Sequence, residues 1–335
     1  MDPLTQGVLG ATLAQSLIRK KDNTKLAAIL GFLGGLAPDL DFLIRSQRDP
    51  LVYLEYHRQF THSLIFIPIG GAICAYFLWM IYFKKKLSFS KTYLYTTLGF
   101  GTHALLDACT AYGTQLFWPF SHYRVAWNNV SIVDPLFTIP LVMMMALGVI
   151  KKSRLIPRTA LVYGLLYLLL GVVQRERAES IGIQIAKSRG HNPIRLEAKP
   201  SFANLFLWKN VYETNDKFYV DAIRLGFRTK IYDGESIFKL EIKRDFPNLD
   251  PNSVQAKDIE RFRLFSKDYI AKHPTNGEHV IDIRYSFIPN KISPMWGIKL
   301  TPSKSNQHSP FVIFPRDAKN SSRILWKMLT EDLFN

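Results

Sequence analysis

Three short stretches in the first third of the chain concentrate side chains of the kind that hold metal ions. Pro38-Asp39-Leu40-Asp41 sets two carboxylates two residues apart behind a proline at a helix end. His57-Arg58-Gln59-Phe60-Thr61-His62-Ser63 carries two imidazoles five residues apart. His103-Ala104-Leu105-Leu106-Asp107 spaces an imidazole and a carboxylate by four, so on a helix they share one face. Imidazole with carboxylate is a ligand set for zinc, and also for manganese or iron. Each stretch alone is ordinary. Their joint appearance beside apolar segments points to one divalent-metal site drawn from Asp39, Asp41, His57, His62, His103 and Asp107.

A metal held by three or four of these groups keeps a position for water and lowers its pKa toward ~7. A carboxylate outside the ligand set, with Asp41 the choice, would serve as general base. Arg58 and Arg124 could each clamp a phosphate or carboxylate through paired hydrogen bonds, and Arg58 is equally suited to pairing with Glu55 or Asp41. Thr61 reads as the N-cap of the helix that follows, which places His62 in its first turn. His122 reads as substrate-facing or structural.

Six apolar segments must position these residues: 4–18, 26–44, 64–83, 92–111, 133–150 and 160–173. The third, fourth and fifth approach the ~20 residues that span a bilayer core, and the first and last are short. Frequent glycine (Gly31, Gly34, Gly35, Gly70, Gly71, Gly99, Gly101) suits close helix packing in a membrane. Basic residues fall in alternate connections: Arg19, Lys20, Lys21 and Lys25, then Lys84, Lys85, Lys86 and Lys91, then Lys151, Lys152, Arg154 and Arg158. These connections should be cytoplasmic. The N-terminus, connections 45–62 and 112–132, and everything after residue 174 then face outside, where the candidate ligands also collect. The opening Met1-Asp2-Pro3-Leu4-Thr5-Gln6 has no positive region of the kind a cleavable signal carries.

The net charge of +16 does not point to nucleic acid. Residues 1–173 hold 16 basic and 8 acidic residues, the basic ones set between apolar runs. Residues 174–335 hold 27 and 19, interspersed without a long basic run. The two cysteines, Cys74 and Cys109, lie in apolar segments, so no disulfide framework is implied. The expected architecture is a polytopic α-helical membrane domain of about six helices, residues 1–173, followed by a soluble α+β domain, residues 174–335. In the second, 174–189 reads as an amphipathic helix leaving the membrane. Strands are expected at 205–212, 218–226, 230–232, 237–242, 279–288 and 297–300, with a turn at Asn215-Asp216, and helices near 253–272 and 322–333. Trp208, Tyr212, Tyr219 and Trp296 read as core or interface aromatics, and His191, His273, His279 and His308 as dispersed surface histidines.

PDLD, HRQFTHS and HALLDACTAYGTQLFWPF resemble the YdjM-type family of membrane-bound, metal-dependent hydrolases. The third stretch is the most specific, continuing beyond His103 and Asp107 with Thr110, Gly113, Leu116, Trp118 and Pro119 in the family's arrangement. The opening MDPLTQGVLGA resembles the family's first helix, and the likeness covers roughly residues 1–150, extending weakly through Asp134-Pro135-Leu136. One departure stands out: many members have His after the first Thr, where this chain has Gln6. The resemblance implies an inner-membrane hydrolase. The depth of the site implies an amphiphilic substrate, a lipid or other phosphoester, with membrane lipids as partners. The rival readings are a non-catalytic membrane scaffold with a structural metal, and a transporter, for which no internal repeat speaks.

Overall fold

The computed structural model describes residues 1–18, 23–226 and 228–331. Arg19, Lys20, Lys21 and Asp22 of the first basic connection, and the end of the expected 322–333 helix, lie outside the described residues. The chain divides into two compact units. The first contains Met1–Leu43, Tyr56–Val173 and Phe202–Asn204; the second contains Ile44–Glu55, Gln174–Ser201 and Leu205–Asn335.

The first unit is helical. Helix α1 (Pro3–Ser16) starts where Asp2 accepts a hydrogen bond from the Thr5 amide and Pro3 pre-sets the first turn. Asn23 caps α2 (Thr24–Leu36) in the same way, and a 3₁₀ turn, Ala37–Leu43, carries PDLD onward. The short α3 (Val52–Tyr56) precedes two single 3₁₀ turns, Phe60–His62 and Leu64–Phe66, and then α4 (Ile67–Leu78) with a π-helical end. Thr61 therefore sits inside a 3₁₀ turn and is not a helix cap; its hydroxyl donates to Asp41 instead. Helix α5 (Phe89–Cys109) packs against α1, α2 and α4. Asp134 caps α6 (Pro135–Ile150), and α7 (Leu155–Ser188) runs unbroken for 34 residues. The sixth apolar segment and the expected amphipathic helix at 174–189 are thus one helix.

Among the described residues, three stretches are long and apolar enough to cross a membrane: Thr24–Leu43, Leu64–Phe83 and Leu155–Ser188. The six crossings are reached only in part, for identifiable reasons. Helix α1, 14 residues, extends about 21 Å against a hydrocarbon core of about 30 Å. Helix α6 is apolar but has 16 residues. Helix α5 has the length, but it carries Lys91, Thr92, Thr96, His103 and Asp107.

Backbone contact holds the bundle together. A Cβ built on Gly99 of α5 would lie 2.0 Å from the carbonyl oxygen of Gly31 in α2, and one on Gly31 would lie 2.4 Å from that of Gly10 in α1. Only a residue without a side chain permits these crossings.

The second unit is β-rich. β1 (Arg195–Pro200), β2 (Leu207–Glu213), β3 (Lys217–Leu225) and β4 (Thr229–Tyr232) pair antiparallel in that order, and β5 (Ser236–Phe238) also pairs with β3. After α8 (Ile242–Asp245) and α9 (Val254–Phe265), a second antiparallel sheet runs β6 (Ile270–Lys272), β7 (His279–Asp282), β8 (Trp296–Lys299) and β9 (Phe311–Ile313). The expected helix over 253–272 ends at Phe265, and its tail becomes β6. Strands β1 and β9 had no counterpart among the expected elements. Trp208, Tyr212, Phe218, Tyr269 and Ile281 are buried, and α10 (Ala318–Thr330) presents Leu325 and Met328 to Leu207 and Ala222.

Candidate metal centre

Three segments of the helical unit deliver the candidate ligands. The 3₁₀ turn after α2 brings Asp39 and Asp41, the segment before α4 brings His57 and His62, and one face of α5 brings His103 and Asp107. Helix α1 lines the site with Gln6, fully buried, whose Nε2 donates to Asp107 Oδ1 at 2.8 Å. The Met1 nitrogen also lies against Asp107 Oδ1.

Two overlapping groups result. In the first, Asp39, His62, His103 and Asp107 each offer a ligand atom, and in the second Asp39, Asp41 and His57 do. The first is compact. His62 Nε2 and His103 Nε2 are 3.0 Å apart. Asp107 Oδ2 lies 3.3 and 3.5 Å from them, and Asp39 Oδ1 lies 3.6 and 3.4 Å from them. A tetrahedral cation with bonds of about 2.0–2.1 Å holds its ligand atoms about 3.3–3.4 Å apart. The observed separations bracket that edge length, so these residues fit a small divalent ion.

The imidazole tautomers agree with this. His103 Nδ1 is 2.6 Å from the Gly35 carbonyl oxygen, which can only accept, so the neutral ring turns an unprotonated Nε2 to the site. His62 Nδ1 lies 3.0 Å from Thr61 Oγ1 and 3.3 Å from Asp41 Oδ2. Such outer partners orient metal-binding histidines. Two bare nitrogens 3.0 Å apart repel each other, and a cation between them removes the conflict. Without one, a proton takes its place. Burial disfavours a charged His62, but the carboxylates of Asp107, Asp39 and Asp41 outweigh it and push its pKa up to about 10. Gln6 Oε1 is buried with no hydrogen-bond partner among the described residues, a further acceptor suited to a cation or a water on it.

Asp41 has both oxygens engaged. Oδ1 is 2.8 Å from His57 Nδ1, while Oδ2 accepts from the Arg58 amide and from Thr61 Oγ1, each at 2.9 Å. This disfavours the general-base role expected for it and makes it a residue that orients His57 and His62. Burial holds His57 below the ordinary histidine value, against the pull of Asp41. Arg58 is buried and places Nε 2.9 Å from Asp107 Oδ2, with Nη1 donating to Thr110 Oγ1 at 3.2 Å. Its expected partner Glu55 pairs with Arg261 instead. Arg124 Nη1 donates to the carbonyls of His57 and Gly113, a backbone-fixing role rather than an open clamp. His122 is exposed and in neither group.

In the second unit, Asp49, Asp258 and His308 form another group of potential ligands, so His308 is not simply a surface residue. Sequence gave no signal for it, because its members are 50 to 259 positions apart. Arg261 already lies against Asp49, Asp258 and Glu55 at 2.6–2.9 Å and supplies the positive charge there.

A helical unit with membrane-length apolar helices, a buried His/Asp group able to hold a cation, and a β-rich unit after it define a membrane protein with an internal candidate metal centre. The profile of the YdjM inner membrane protein family matches residues 1–178, and the chain belongs to that family. A curated relative, the uncharacterized protein YfhP of Bacillus subtilis (strain 168), is 33% identical over 102 residues, 30% of each chain. The match therefore spans less than a third of that relative. No solved structure matches the chain significantly.

Proposed function

We propose that the chain is a metal-dependent hydrolase of the inner membrane, with Asp39, His62, His103 and Asp107 holding one divalent cation, zinc by preference and manganese or iron as alternatives. The observation that carries this reading is the tetrahedral spacing of four ligand atoms supplied by three separate segments. A cation bound there would polarise water or a substrate oxygen. Asp41 fixes the ring of His62. Arg58 neutralises part of the Asp107 charge and keeps that carboxylate aimed at the site. Asp39, with 27% of its side chain exposed, is the member open to solvent and marks the way in for substrate.

The substrate class proposed is a lipid or phosphoester. An apolar cavity of about 440 Å³ between α1, α2 and α6, lined by Ala11, Ala28, Phe32 and Met145, supports lipid as a partner of the unit. Orientation follows from the basic connections, with the second unit and the site on the periplasmic side. A second reading has one observation in its favour: four protein ligands around one ion is the pattern of structural zinc, which would make the chain a membrane scaffold.

The test is metal content of the purified full chain. His103→Ala and Asp107→Ala should each lose the ion while still inserting in the membrane; stoichiometric metal retained in both would overturn the ligand set. Hydrolysis of phospholipid by metal-loaded protein, absent in both variants, separates the enzyme from the scaffold.

A further inference from the structure

We infer that the centre holds two divalent cations rather than one, with Asp39 bridging them and His57 and Asp41 completing the second position. This rests on the single-cation reading above and extends it. Asp39 belongs to both ligand groups, and the atoms of the second group lie within 4.8 Å of one another, as those of the first do. Both of its imidazole contacts, to His62 and His103, are made through Oδ1. Asp39 also offers an oxygen to the second group, and a carboxylate with one oxygen on each ion is the usual bridge in paired sites.

The second position has the right chemistry. His57 Nδ1 and Asp41 Oδ1 are 2.8 Å apart, and adjacent ligands on an octahedral cation with bonds of about 2.1 Å stand about 3.0 Å apart. Opening that contact by about 0.2 Å exchanges a proton for a metal ion. Asp41 Oδ2, held by the Arg58 amide and Thr61 Oγ1, fixes the carboxylate so that Oδ1 stays on the His57 side. Tyr112, edge-on to the His57 ring at 5.7 Å, fixes the imidazole plane. Paired ions about 3.5–4 Å apart are suited to displacement at phosphorus, where the water oxygen bonds to phosphorus and the ester oxygen leaves as the alcohol, taking a proton. A pair here narrows the substrate to a phosphoester.

The experiment uses full-length protein in detergent, stripped with chelator and reloaded with Mn²⁺ alone. Two Mn²⁺ per chain are expected, with an exchange-coupled electron paramagnetic resonance spectrum. His57→Gln should fall to one Mn²⁺ and lose the coupling, while Asp39→Asn should weaken both positions. One Mn²⁺ per chain in the wild type, with an uncoupled spectrum at saturation, overturns the pair and leaves the single-cation reading standing. No bound Mn²⁺ or Zn²⁺ at all overturns both. Because the wild-type spectrum decides by itself, a variant that fails to fold does not shield the inference.

Discussion

Arg58 holds a backbone conformation, φ 60°, that side chains with a Cβ rarely adopt, and it does so beside the buried carboxylate of Asp107. Local strain of this kind persists where the surroundings over-determine it, here through the Asp41 carboxylate on the Arg58 amide. Removing the guanidinium leaves Asp107 buried and short of a partner. Arg58→Met should destabilise metal-free protein by about 3–5 kcal/mol, read by denaturant melts in detergent, and by less once the cation is loaded. Equal losses with and without metal would show that the two positive charges do not share Asp107. In the second unit, Lys209 is buried, donating to Ser286 Oγ and the Lys291 carbonyl, and burial pushes its pKa down to about 7. Its folded value lies below the unfolded one, so the unfolded chain binds more protons between pH 7 and about 10.5. Stability of this unit should therefore rise across that window, and Lys209→Met should flatten the rise. A slope unchanged by the substitution would place the titrating group elsewhere.

The relation of α2 to α5 sets the geometry of the centre, because α2 runs into the Asp39 turn and α5 carries His103 and Asp107. Gly99→Ala forces a methyl group onto the Gly31 carbonyl and should cost about 1–3 kcal/mol, with weakened metal binding measured by competition with a chelator. Gly101→Ala on the same helix meets only Ile67 at 3.5 Å and should be neutral in both measurements. These elements were readable in advance to different depths. The His103/Asp107 pair was legible from its spacing, because a helix fixes which side chains share a face. The PDLD turn and the His57–His62 stretch were legible as candidate ligands, but their division into two groups was not, since 3₁₀ turns and loops carry no period to extrapolate. Asp41 looked like a free base because sequence cannot show that the Arg58 amide and the Thr61 hydroxyl fold onto it. Strands β2 and β3 were found because alternation and the Asn215-Asp216 turn mark them. Strands β1 and β9 were missed because short strands take their identity from the neighbours they pair with.

At the scale of the whole chain, orientation is the open physical quantity with a direct test. Leu264→Cys, at a position 80% exposed in the second unit, in a Cys74→Ala background with Cys109 left buried, should react with a membrane-impermeant maleimide from the periplasmic side. Reaction only after the inner membrane is opened would reverse the assignment. The interleaved make-up of the two units has a further consequence, in time rather than in space. Residues 44–55 leave the ribosome early, between Asp41 and His57, yet they belong to the unit whose remainder begins at Gln174, and Asp49 and Glu55 wait for Arg261. At about 5–20 residues per second, that interval is about 10–40 s. The loop joining the two halves of the candidate centre thus waits for its Arg261 pairs through most of synthesis, and a chain truncated near Val173 should emerge with Asp49 and Glu55 lacking that guanidinium.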